Sequence, residues 1–286
     1  MSINDIPVRV VGPGSQPEGE QKLSYIDMPS SMDRYSAPCI EDLDALLQLD
    51  GARESMRWLR DALADYECGA APLIANLSAL DNESRDLANQ ILGEGEVSIT
   101  FRDTVTARTQ ESVLAGVWRT MYFDAEGRVA CDLLEVADAP HVVRAALEGG
   151  RLVDTSAPAD AELVPNALPI LVELEAALAA YRREGSPHSI NLTLLPLSEP
   201  ELEFLDARLG RGPVDILSRA YGKCQIISTL TPGIWWVRYY NAMGTLILNS
   251  LEVVDIPQVV KAAAEDLGDS AERLDDILSP YWPDAT

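Results

Sequence analysis

The segment LGEGEVSITFR, residues 92–102, decides the fold, because its two glycines read either as a phosphate-binding loop or as a place where the chain turns. In a P-loop or dinucleotide fold the order is strand, glycine loop, helix, since the phosphate sits at the helix N-terminus. Here the order is reversed. Asp81 stands at a capping position ahead of a helical stretch that ends at Gly93, and the loop leads into a strand carrying Val97 and Ile99. No third glycine and no Gly-Lys-Ser/Thr follows. The glycines are therefore expected to supply the left-handed conformation with which helices end.

The segment also returns. LGRGPVDILSR, residues 209–219, reproduces it 117 residues later, and the correspondence continues without a gap. VWRTMYFDAEG at Val117 aligns with IWWVRYYNAMG at Ile234, and LLEVADAPHVVRAA with SLEVVDIPQVVKAA. Over Leu92–Ala146 against Leu209–Ala263, 20 of 55 positions are identical, where unrelated chains match at roughly one position in fifteen to twenty. A duplicated structural unit is expected.

Periodicity and turn residues outline that unit. Ser198 and Glu201 form an S-x-x-E capping box before a helix through Leu205 and Leu209. Helical spacing also marks Ser55–Tyr66 and Ile170–Tyr181, each followed by a strand-like run, PLIANLS from Pro72 and SINLTLL from Ser189. Val113 to Phe123 reads as a strand, Asp124–Gly127 as a turn and Arg128 to Val136 as its return, with Asn241–Gly244 the equivalent turn. Asp138 with Pro140, and Asp255 with Pro257, place a capping carboxylate and a first-turn proline before VVRAA and VVKAA. The fold class is α+β: two tandem copies of a helix–strand–helix–antiparallel-strands–helix unit. The expected organisation is a flexible N-terminal arm over 1–38, a first repeat over 39–148, a linker over 149–160, a second repeat over 161–264, and an acidic C-terminal helix and tail over 265–286. In that last segment Asp269 and Glu272 read as caps and Leu274, Ile277 and Leu278 as the stripe of a short amphipathic helix docking on the domain.

Composition narrows the function classes. The formal charge of −24, from 46 acidic and 22 basic residues, excludes nucleic acid as a partner, since such binding depends on Lys and Arg displacing counterions. An acidic surface attracts basic peptides or proteins, or serves solubility alone. Cys39, Cys68, Cys131 and Cys224 show no paired spacing for zinc or thiol redox chemistry and fit a reducing compartment. MSINDIPVRV has no basic segment followed by an apolar core, and no run approaches the ~20 apolar residues of a membrane span. A soluble cytoplasmic protein is expected.

Comparing the copies sorts scaffold from function. Trp118 and Tyr122 share one strand face, as do Trp235 and Tyr239, and read as core. Arg102/Arg219 and Glu135/Glu252 read as structural ion pairs or solvated rims. The second copy adds Trp236 and Tyr240 on the opposite face, where the first has Arg119 and Phe123, so a second cover is required: the other repeat, which is preferred, or a bound partner. His141 and His188 lie near no nucleophile and read as incidental. Glu94, Glu96 and Glu111 could serve a hard cation, and Cys224 a soft one, but exposed turn carboxylates are usually solvated and a lone strand cysteine is usually buried. No cofactor, resident metal or catalytic residue is assigned. The residues singled out for binding are Gly93, Glu94, Gly95, Glu96, Glu111, Arg211, Gly212, Tyr221, Cys224, Trp236 and Tyr240, in a groove between the repeats lined by the GEGE and RGP loops and the strand of Trp236.

ILGEGEVSI, ESVLAGVWR, NLTLLPLSEPELEFLDARLGRGPVDILSRAYGKCQI, WWVRYYNAMGTLILNSLEVVDIP and the early GPGSQPE together resemble the HupH/HyaF hydrogenase expression protein family over nearly the whole chain. The family's usual SRGYGNCR is replaced here by SRAYGKCQ, with Ala220, Lys223 and Gln225 departing from it. The resemblance implies a non-enzymatic accessory protein for maturation of an uptake nickel–iron hydrogenase. It would bind the immature iron–sulfur small subunit before export, and could also meet other hydrogenase accessory proteins. The alternative is a metal-handling or catalytic maturation factor assisting nickel or iron–sulfur incorporation, with Cys224, Glu94, Glu96 and Glu111 as its candidates.

Overall fold

A computed structural model describes residues 49–158, 164–219, 222–279 and 282. The expected arm over 1–38, Cys39 and Tyr221 lie outside the described residues. Among those described are six α-helices and ten strands. The first part runs α1 (Asp50–Asp65), β1 (Leu73–Asn76), α2 (Asn82–Leu92), β2 (Val97–Arg102), β3 (Thr106–Glu111), β4 (Val117–Phe123), β5 (Val129–Val136) and α3 (His141–Ala145). The second runs α4 (Ala167–Glu184), β6 (His188–Asn191), α5 (Glu199–Leu209), β7 (Val214–Ser218), β8 (Lys223–Ser228), β9 (Ile234–Tyr240) and β10 (Leu246–Val253), then α6 (Ala264–Leu278).

All ten strands join one antiparallel sheet in the order β1-β5-β4-β3-β2-β7-β8-β9-β10-β6. Reading outward from the central β2–β7 pair, both halves follow the same order. In that pair Ile99 faces Ile216, its counterpart 117 residues on, with Val97 opposite Ser218 and Phe101 opposite Val214. A two-fold relation between the halves therefore passes through the Ile99–Ile216 pair. The halves share a continuous sheet, and the outer edges are closed by the four-residue strands β1 and β6, short edges of the kind that discourage further pairing.

Strand alternation gives the sheet two different faces. Ile99, Ile216, Trp118, Trp235, Val142 and Val260 form one cluster, with Tyr122 and Tyr239 packed against it. Trp118 Nε1 donates to Ala137 O at 2.9 Å and Trp235 Nε1 to Val254 O at 3.1 Å, the same bond in both halves. On the opposite face Trp236 packs with Ile227 and Leu251 beneath α4 and α5, through Ala167, Ile170, Leu171, Leu174, Leu178, Leu205 and Leu209. The cover over Trp236 thus comes from its own half and not from the other repeat. The 3–4-residue spacing of apolar positions along α4 supplies that face locally.

Local signals explain most element boundaries. Asp81 accepts from Ser84 N at 2.8 Å, and the Ser198–Glu201 box closes in both directions. Gly93 and Gly210 cap α2 and α5 with φ 55° and 64°, but their ψ values of −164° and 178° lie outside the left-handed helical region, in territory open essentially to glycine alone. The turns at Asp124–Gly127 and Asn241–Gly244 close at 3.0 and 2.9 Å. The expected strand from Val113 begins only at Val117, because Val117 N bonds Leu114 O in a turn.

Other expectations are corrected. Asp138 caps no helix: it accepts from Tyr66 Oη at 2.9 Å and from Ala139 N and Arg144, and Pro140 takes the N-cap position. After Pro257 only a single 3-10 turn, Gln258–Val260, forms. Ala262 N is drawn out to Asp138 O at 2.9 Å, which holds that segment away from a helical path. Asp269 and Glu272 lie inside α6, which starts at Ala264. Helix α6 docks on the first half, burying Leu267, Leu274, Ile277 and Leu278. A Cβ at Gly116 would fall 2.1 Å from Leu267 Cδ2, and Ser270 Oγ donates to Ala115 O at 3.1 Å.

The glycines of the opening segment are fully engaged. Gly93 N donates to Asn89 O and Gly95 N to Glu111 O, at 2.9 and 2.7 Å; Gly210 N and Gly212 N make the equivalent bonds to Asp206 O and Ser228 O. A Cβ on Gly95 would lie 2.3 Å from Ser112 O, and one on Gly212 would lie 2.4 Å from Thr229 O. Both residues are glycine so that two backbones can touch. Gly95→Ala and Gly212→Ala are each expected to destabilise by about 3 kcal/mol. Gly268→Ala, in open space within α6, should instead stabilise by about 0.5–1 kcal/mol. Urea unfolding of the three variants checks both signs.

Candidate functional site

Because β2 and β7 run antiparallel, the start of each lies beside the end of the other. Arg219 N bonds Glu96 O at the GEGE end, and Arg102 N bonds Pro213 O at the RGP end. The two loops therefore sit at opposite ends of the central pair and line no common groove. Gly93, Glu94, Gly95, Glu96 and Glu111 gather at one end. Arg211 and Gly212 lie at the other, with Arg211 Nε 3.6 Å from Asp206. Trp236 and Tyr240 occupy the helix-covered side of β9, where Lys223 Nζ stands 5.7 Å from the Tyr240 ring. Cys224 is buried on the other side against Tyr239. Burial pushes the Cys224 thiol up to about 11, which keeps it protonated and a poor nucleophile or ligand. Among the described residues no three His, Cys, Asp or Glu side chains gather where they could hold a metal ion.

The GEGE end borders a cavity of about 500 Å³ between α2 and the helix-covered face of β3–β5. Arg85, Asn89, Leu92, Gly93 and Glu94 form one side, and Gln110, Ser112, Val117, Arg119, Met121 and Leu134 the other. Arg119 is held flat along the sheet by a bidentate pair with Asp132, at 2.9 and 2.7 Å. Arg85 Nε is buried without a hydrogen bond and lies 3.9 Å from the same carboxylate. Gln110 Nε2 is spent on the carbonyls of Gly95, Val97 and Glu111. The cavity surface is mainly apolar in area, with Leu92, Val117, Met121 and Leu134, but six of its lining residues are polar and several of those are fixed by hydrogen bonds. Of the residues singled out from sequence, Gly93 and Glu94 line it. Arg119, Met121 and Asn89 were not, although the exchange of Arg119 for Trp236 between the halves was the signal that marks the place.

A second arrangement joins Glu135 and His141. Glu135 is fully buried. It accepts from Thr120 Oγ1 at 2.5 Å, from His141 N at 3.0 Å and from His141 Nδ1 at 2.7 Å, while Tyr122 Oη meets His141 Nε2. The carboxylate therefore caps α3 and orients a histidine and a tyrosine: of the two readings for Glu135 the solvated rim fails, and a buried structural pairing with His141 stands. In the second half Gln258 stands at the histidine position, and burial raises the Glu252 carboxyl above its ordinary value. The histidine present in one copy only was the available clue.

The family model for the HupH hydrogenase expression protein C-terminal conserved region matches residues 51–152 and again 164–281. The chain belongs to this family. Among HupH-family relatives, the hydrogenase expression/formation protein HoxQ of Cupriavidus necator is 41% identical over 282 residues, covering 96% of each chain. HupQ of Azotobacter chroococcum is 43% identical over 269 residues, covering 93% of this chain and 94% of the relative. A solved structure of the hydrogenase expression protein HupH from Thiobacillus denitrificans is 32% identical, with a TM-score of 0.39, and covers 40% of this chain and 96% of that one. No helix among the described residues is long and apolar enough to cross a membrane.

Glu111 sits beside the GEGE loop with an unusual carboxyl. Burial lifts its pKa to about 7, aided by the nearby Glu96 and Asp266 carboxylates and opposed by backbone N–H donors at Val97 and Glu96. The folded carboxyl keeps its proton to about pH 7, while the unfolded one releases it near the ordinary value of 4.5. Folding stability consequently falls as pH rises through that window and levels off above it. Glu111→Gln, which cannot ionise, should match the parent near pH 4 and gain on the order of 2 kcal/mol over it by pH 8. Thermal melts across that range provide the check.

Proposed function

We propose that this protein is an accessory factor in the formation of an uptake nickel–iron hydrogenase, acting in the cytoplasm by holding the immature iron–sulfur small subunit and not by turning over a substrate. The observation that carries this reading is the 41% identity to a hydrogenase expression/formation protein along 96% of both chains. The site chemistry is compatible with a polypeptide ligand. A cavity whose surface is mainly apolar, with its arginine and glutamine largely committed to hydrogen bonds within the protein, recognises a side chain more readily than an ion, and the charge of −24 favours encounter with a basic segment. We also read the two halves as copies of one ancestral module, divided near residues 149–160, with the binding surface on the side where the copies differ.

The test is recovery of partners from the native, hydrogenase-producing host. The small-subunit precursor is expected to co-purify with the full-length protein, and its absence under those conditions would overturn the reading. Metal analysis of untagged protein bears on it from the other side. Stoichiometric nickel, iron or zinc that disappears on replacing Cys224 or Glu111 would establish a metal-handling factor instead.

A further inference from the structure

The two halves offer the same place in two states. Asn89, Gly93, Glu94, Arg119 and Met121 around the open cavity correspond, 117 residues on, to Asp206, Gly210, Arg211, Trp236 and Arg238. The second set encloses essentially no free volume. What fills it is Trp236, buried at 4% exposure, its Nε1 donating to Asn249 Oδ1 at 2.5 Å and its ring 4.8 Å from the Arg238 guanidinium. In the first half the Trp–Asn pair is replaced by Arg119 and Asp132, whose bidentate bond draws the arginine onto the sheet and leaves the space vacant. The frame is thus built for an indole that the first half does not itself supply.

We propose that the cavity beneath α2 receives an aromatic side chain, of the tryptophan kind, from a partner polypeptide in which the neighbouring residue is basic. The proposal deepens the partner-holding function above and rests on it. The aromatic preference follows from what occupies the equivalent space, and from Met121, whose thioether suits the edge of a ring. A volume of about 500 Å³ takes an indole together with part of the adjoining residue. The basic neighbour follows from the rim, where the exposed Glu94 replaces Arg211, and from the charge of −24. Inserting one buried aromatic anchor into a preformed pocket is a common way for a small contact to dominate an interface.

The probe is N-acetyl-5-fluorotryptophanamide, followed by its fluorine NMR line in the presence of the full-length protein. Wild type is expected to broaden the line. The double variant Arg119→Trp with Asp132→Asn transplants the filled state of the second half, and should restore the free linewidth and weaken binding at least tenfold. Asn89→Trp, at an exposed helical position on the rim, should do the same without touching the core. A probe carrying arginine amide after the tryptophan should bind several-fold more tightly than one carrying glutamate, and Glu94→Arg should reverse that order. No broadening by wild type, or broadening undiminished in Asn89→Trp, overturns the proposal. If wild type captures the hydrogenase precursor but not the probe, this inference fails while the proposed function stands. If it binds the probe but never the precursor, the proposed function fails and the aromatic site stands.

Discussion

Nine antiparallel pairings build the sheet, and the one between β2 and β7 joins one half to the other. It buries Val97, Ile99, Phe101, Val214 and Ile216, each contributing about 1.5–3 kcal/mol. Each half covers the strand edge that the other would leave bare. With Ile99 opposite Ile216, the contact has the self-complementary form of a symmetric dimer interface, made here within a single chain. Helix α6 then reaches back across it to seal the first half, with Gly116 making room for Leu267.

Antiparallel pairing about that point also dictates where the corresponding loops fall. The GEGE and RGP loops resemble each other in sequence yet lie at opposite ends of the central strands, so no site can draw on both. What distinguishes the halves is confined to side chains on a shared frame. Arg119 and Asp132 hold a cavity open where Trp236 and Asn249 fill one. A buried Glu135 bonds the half-buried His141, which meets Tyr122, where the second half has Glu252 and no histidine, its carboxyl raised by desolvation.

Much of the fold was legible in the chain because it rests on interactions a few residues long. The Asp81 cap, the Ser198–Glu201 box, the Asp124 and Asn241 turns and the glycine helix stops each involve neighbours in sequence, so residue type and spacing suffice. Two of the errors share an origin in contacts distant along the chain. The Asp255–Pro257 segment carries good helical signals, but Ala262 N is claimed by Asp138 from the other half. Asp138 itself is claimed by Tyr66, far back along the chain. At the candidate site, Gly93 and Glu94 were legible from the loop that contains them, whereas Arg119 and Asn89 come from elements that only packing brings together.

The sequence by itself determined that the chain carries one pattern twice, that its glycines follow helices and precede strands, and that its net charge is −24. Periodicity, capping and composition are local or summed properties, and they survive without coordinates. Only the tertiary structure decided that the halves meet through β2 and β7, that α4 and α5 cover Trp236, and that the same frame is filled on one side and open on the other. Those outcomes depend on contacts between residues distant along the chain, where volume and hydrogen-bond competition, and not spacing, select the arrangement.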